Sequence, residues 1–177
     1  MAPRKGGRIL AAAAAFAVLP ATGCRNILYV PRIIPITEVT IPPFAGQPEL
    51  SIANAGVAGE QVIADRGAAT WRGDLETWSG VAVQMLTSEL GQRGVTVKEG
   101  ASKRVEVAVH QVQVLFGFAT IRCILTLRAA TGDGQKFVTV GNNVSPATIY
   151  RAIDGALSRA VAALLADPGF RAHLEAK

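Results

Sequence analysis

Two stretches carry hydrophobic residues at helical spacing. Leu75, Trp78, Ala82, Met85, Leu86 and Leu90 recur every three or four positions, which predicts a helix over Asp74–Gln92 with one apolar stripe. Asp74 and Glu76 place negative charge at its positive end, and Gly91 and Gly94 supply its stop. Ile149, Ile153, Ala156, Leu157, Ala160, Val161, Leu164 and Leu165 predict a second helix over Ser145–Ala166, with Ser145 as N-cap and Pro146 at the first helical position. Asp167-Pro168-Gly169 ends it, and Phe170 and Leu174, four apart, predict one more short helical turn packing back.

Between the helices the period falls to two. Val95–Glu99 reads as a short strand and Arg104–Phe116 as a long one. In the long strand Val105, Val107 and Val109 hold one phase, whereas Val112, Val114 and Phe116 hold the other. That slip predicts a β-bulge near His110 and Gln111, which keeps both sets on one face. Ala119–Ala130 alternates Ile121, Cys123, Leu125 and Leu127 against Arg122, Thr126 and Arg128, so one face is solvated. Thr131-Gly132-Asp133-Gly134 reads as a hairpin turn and Lys136–Asn142 as the returning strand, completing a meander. Before the first helix, short strands are expected around Leu50–Ile52 and Gln61–Ile63, with a turn at Gly56–Gly59 and a loop over Ala64–Gly73. The fold class expected is α+β: two layers, with a mainly antiparallel sheet of four to six strands and both helices packed on one face.

Residues 1–48 follow neither period. Arg4, Lys5 and Arg8 precede an apolar run, Ile9–Leu19, and small residues lead to Cys24. These are the parts of a secretory signal peptide over residues 1–23. The run is short for a bilayer span, which takes about 20 residues. Residues 24–48 then form a tether dense in proline (Pro31, Pro35, Pro42, Pro43, Pro48), which blocks helix and central strand. Its Ile33–Ile41 part is too apolar for a free linker. It reads as an edge strand or an extended segment laid across the domain, or else as a docking strip for a partner. Residues 49–177 make one globular domain, long enough for a core.

Charge adds little to this reading. Three of the eighteen Lys and Arg lie in the leader and none of the thirteen acids does, so the mature chain carries fifteen basic against thirteen acidic side chains. No basic cluster remains that would mark a nucleic-acid partner. The two cysteines are Cys24 and Cys123. If Cys24 is modified, Cys123 stands alone as a small inward-facing apolar residue, and the competing reading is a Cys24–Cys123 disulfide. No zinc spacing, nucleophile elbow, P-loop or dinucleotide fingerprint occurs. The histidines are His110 and His173, and neither has a nucleophile motif nearby. The expectation is therefore no catalytic, metal or cofactor site, with a periplasmic enzyme working near His110 as the rival class.

Ala21-Thr22-Gly23-Cys24 resembles the lipobox of bacterial lipoproteins. The resemblance implies cleavage before Cys24 and lipid attachment to it, and Arg25 in the following position implies sorting to the outer membrane. Three further features resemble the YajG-type outer-membrane lipoproteins over residues 74–175. They are the helix ending Glu89-Leu90-Gly91-Gln92-Arg93-Gly94, the valine-rich strands, and the closing Leu164-Leu165-Ala166-Asp167-Pro168-Gly169-Phe170. The element order is also similar to the lipoprotein that assists lipopolysaccharide insertion and to auxiliary lipoproteins of lipid-transport systems. What this implies is a lipid-anchored, periplasm-facing envelope protein with a non-enzymatic binding, scaffold or assembly role, whose partner is an envelope protein or a lipid.

Overall fold

The computed structural model describes residues 25–37 and 39–176. The chain runs β1 (Arg25–Leu28), β2 (Glu49–Asn54), β3 (Glu60–Asp65), β4 (Ala69–Asp74), α1 (Leu75–Gln92), β5 (Thr96–Val97), β6 (Arg104–Phe116), β7 (Ile121–Thr131), β8 (Lys136–Ser145), α2 (Ile149–Ala166) and α3 (Pro168–Glu175). The architecture is α+β. A five-stranded sheet has order β5-β2-β6-β7-β8, and a smaller three-stranded sheet has order β1-β4-β3.

The β6–β7–β8 meander is antiparallel along its whole length, while β2 adds to β6 and β5 to β2 by short parallel pairings. Antiparallel pairing thus dominates, and the two parallel additions are a feature that short-range patterning did not show. The inward phase of the meander, Val105, Val107, Val109, Cys123, Leu125 and Leu127, is fully buried against the helices. Apolar burial of this kind stabilises by about 25 cal/mol per Å² of surface removed from water.

The stripe expected for the first helix is buried in full, from Leu75 and Trp78 to Leu90. Asp74 accepts from the Glu76 N–H and caps it. The start of the second helix differs from expectation. Ser145 is the last residue of β8, paired with Ile121, and its hydroxyl accepts from the Ala147 and Thr148 N–H groups in a turn. Thr148 is the actual cap, accepting from the Arg151 N–H, so α2 begins at Ile149. Asp167 ends α2 and caps α3 through the Phe170 N–H, which lets Phe170 and Leu174 pack into the core.

Residues 64–73, expected as a loop, are not one. Arg66–Ala69 closes a hairpin between β3 and β4, and β1 adds to β4 in parallel. Gly73 is needed there, because a Cβ would sit 2.7 Å from the Trp78 ring. After β1 the described residues of the Pro-rich segment form no strand, and Tyr29, Ile41 and Phe44 are buried in the common core.

Candidate functional site

The bulge sits where the phase slip puts it. Val109 faces Leu127 and Gln111 faces Thr126, so His110 is the extra residue. Val112, Val114 and Phe116 consequently stay on the core side and pack against it. His110 itself is exposed and, among the described residues, has no hydrogen-bonding or ion-pairing partner. A general base needs a group to orient it and a substrate within hydrogen-bond reach. The other histidine, His173, lies on α3 with Nδ1 3.5 Å from an Asp133 oxygen, at the β7–β8 turn. Asp133 is held below the usual carboxylate range, chiefly by the hydrogen bond from the Thr131 hydroxyl. Among the described residues, no three His, Cys, Asp or Glu side chains converge as metal ligands would.

Cys123 is a free thiol inside the core, and burial pushes it up to about 12. Cys24 lies outside the described residues.

A polar seam that sequence reasoning missed joins the Pro-rich segment to the helices. The Tyr29 hydroxyl donates to Asp154 Oδ1 at 2.6 Å, and the Arg32 N–H donates to the same oxygen at 3.0 Å. The Trp78 indole N–H donates to the Tyr29 carbonyl at 2.9 Å. Tyr29 also packs on the Tyr150 ring, with centroids 4.8 Å apart. Burial, and then the bond to Asp154, raise the Tyr29 phenol above its ordinary value. Farther along, the Ile36 N–H reaches Glu89, and Arg171 donates to the Pro42 and Pro43 carbonyls while stacking over Phe44. Between this segment and α2 lies a cavity of about 250 Å³, bordered by Ile34, Ile36, Asn143, Arg151, Asp154 and Ser158. The one available signal was Asp154, a carboxylate beside the apolar stripe of α2, which burial obliges to find donors.

The outer face of the meander has no layer over it among the described residues. Leu115, Val138, Val140 and Val144 are exposed there, in a field that also holds Arg122, Ile124, Thr126 and Arg128. Leucine and valine side chains thus share an uncovered sheet face with arginine and threonine.

One end of the molecule gathers three features. Arg25 opens β1 beside Ala69, and its N–H bonds the Ala68 carbonyl at the β3–β4 hairpin tip. Arg66 of that hairpin lies over the Phe116 ring at 5.1 Å. Phe116 is the last paired residue before the β6–β7 turn, whose Phe118 is fully exposed, at 109 %.

No family model matches this chain, and no curated protein matches it. Among solved structures, it is similar to a crystal structure of a DUF330-family protein from Xanthomonas campestris. The two chains are 12 % identical, the match covers 78 % of this chain and 90 % of that one, and the TM-score is 0.48. A likeness of that strength fixes neither family nor activity. The chain is a two-layer α+β domain with a bulged meander, a sheet face left uncovered among the described residues, and a segment before β2 built into its core.

Proposed function

We propose that this chain is a lipid-anchored bacterial envelope protein, held at the outer membrane through Cys24 and facing the periplasm, with a non-enzymatic binding, scaffold or assembly role. The observation that carries the reading is the Ala21-Thr22-Gly23-Cys24 run, which resembles a lipobox and follows a basic and then apolar leader. Arg25, the residue after Cys24, is already hydrogen-bonded into the β1–β4 pairing. A lipid on Cys24 would therefore hold the folded domain close against the bilayer, with no slack between them. The open apolar face of the meander supports a binding role and is the surface on which an envelope partner or lipid would settle.

The test is made on the N-terminus and on the membrane. Mass spectrometry of the N-terminal peptide should find Cys24 as the first residue and acylated. Cys24→Ser should accumulate as unprocessed precursor. Density-gradient fractionation should recover the wild-type protein with the outer membrane. An unmodified Cys24 or a mature start elsewhere overturns the anchor, and recovery with the inner membrane overturns the sorting.

A further inference from the structure

We infer that the end of the domain carrying Phe118 is its membrane-contacting pole, with Phe118 entering the interfacial layer and Arg25, Arg66 and Arg122 meeting anionic lipid headgroups. The inference rests on the anchored reading for the presence of a bilayer at this end; the contact surface itself follows from the fold.

The chain from residue 24 enters the domain at Arg25, and the Arg25 N–H is bonded to Ala68 at the β3–β4 hairpin tip. The same hairpin reaches the β6–β7 tip, because Arg66 covers Phe116 and Trp71 lies 6.2 Å from the same ring. Two residues beyond Phe116, Phe118 projects from the turn closed by the Gly117 N–H and the Thr120 carbonyl. An apolar ring fully exposed at a hairpin tip gains nothing from water and is suited to the headgroup–acyl boundary. Leu115, exposed on the outer face just before the turn, adds to the apolar tip.

The charges around the tip have the sign that anionic headgroups require. Among the described residues, Arg25, Arg66 and Arg122 are exposed there, against one exposed acid, Asp65. Basic side chains beside an inserted apolar residue strengthen attachment to anionic bilayers and do little at zwitterionic ones. Val57 is also exposed, yet it lies elsewhere. Its loop follows Ala55, which bonds Val107 nine residues back along β6 from Phe116, about 30 Å away along the strand.

The experiment uses the full chain extracted from membranes and reconstituted with vesicles of phosphatidylethanolamine and phosphatidylglycerol. Phe118→Trp and Val57→Trp each add a reporter at a position with no packing to lose, and difference spectra remove Trp71 and Trp78. The added tryptophan at 118 should shift its emission to the blue and be quenched by lipids spin-labelled near the headgroup, while that at 57 should do neither. Arg66→Glu with Arg122→Glu should weaken the quenching at 118 in phosphatidylglycerol vesicles and leave it unchanged in phosphatidylcholine ones. If position 118 behaves like position 57 in protein whose Cys24 is shown to be lipidated, the inference falls and the anchor stands. If Cys24 proves unlipidated, the anchor falls, and quenching at 118 on added vesicles still decides the pole for or against. A photoreactive residue at 118 that crosslinks in cells to a protein and not to lipid overturns the inference in favour of a protein partner.

Discussion

The Tyr29 hydroxyl and the Asp154 carboxylate, 125 residues apart in sequence, meet at 2.6 Å beneath the Pro-rich segment. The contact fixes the first residues of the described chain to the N-terminal third of α2. Tyr29→Phe removes the donor and leaves Asp154 with the Arg32 N–H. A hydrogen bond to a charged group is worth about 2 kcal/mol, so chemical denaturation should show a loss of that order. The pH dependence has a definite sign. The phenol is raised above 10.0 in the folded state, so its contribution is complete below about pH 10 and is lost as pH rises further. Wild-type stability should therefore fall in the alkaline range, and Tyr29→Phe should lack that part of the fall.

Gly141 of β8 lies directly under α2. A Cβ at this position would stand 1.8 Å from the Ala156 carbonyl oxygen and 2.6 Å from the Ala160 nitrogen. Both are backbone atoms of a helix, so nothing small can move aside. Gly141→Ala should destabilise by about 3 kcal/mol or more, at the upper end of overpacking costs. Gly91, within α1, has nothing within 4 Å of its would-be Cβ. Gly91→Ala should stabilise by about 0.5–1 kcal/mol through helix propensity and lower unfolded-state entropy. Thermal melts of the two variants should move in opposite directions.

The elements legible in the sequence are those whose partners share a regular period. The Leu75–Leu90 stripe and the Val109–Val112 slip each record which side faces a core, and both are found as read. Strand β4 was not legible. Ala69–Asp74 has no alternation of apolar residues, and it is a strand because β1 and β3 flank it. The start of α2 was ambiguous for a related reason. Ser145 and Thr148 can each cap a helix, and pairing of Ser145 with Ile121 in the sheet decides for Thr148. For the Tyr29–Asp154 seam the sequence offered a carboxylate beside the α2 stripe but nothing that names its donor, because Tyr29 lies 125 residues away.

Cys123 should be chemically silent while the domain is folded. It is fully buried, and burial raises its thiol to about 12, so almost no thiolate is present at neutral pH. Alkylation followed by peptide mass spectrometry should find Cys123 unmodified in native protein and modified in denaturant. Because the folded value lies above the ordinary 9.0, the thiol's contribution to stability is complete below about pH 9 and is lost as pH rises towards 12. Rapid labelling of native protein would show that the β7 strand opens far more often than a core strand should.

His110 and Leu157 separate a fold-bearing position from a merely suggestive one. His110 occupies the bulge of β6, a feature that often re-aims a side chain beside a site. Here the imidazole is exposed and, among the described residues, has no partner to orient it. His110→Ala removes no packed atoms, so the domain should stay folded, with a change of melting temperature within that of an ordinary surface substitution, and envelope phenotype should be unchanged. Leu157 is fully buried at the centre of the α2 stripe. Leu157→Asp places a charge there without a counter-charge; the burial cost is several kcal/mol, comparable to the whole stability of a domain of this size, and the protein should not fold. Complementation of a deletion strain with both variants, alongside circular dichroism of each, reads the two effects separately. Loss of function in a folded, lipidated His110→Ala protein would overturn the non-enzymatic reading and make the bulge the centre of a reaction site.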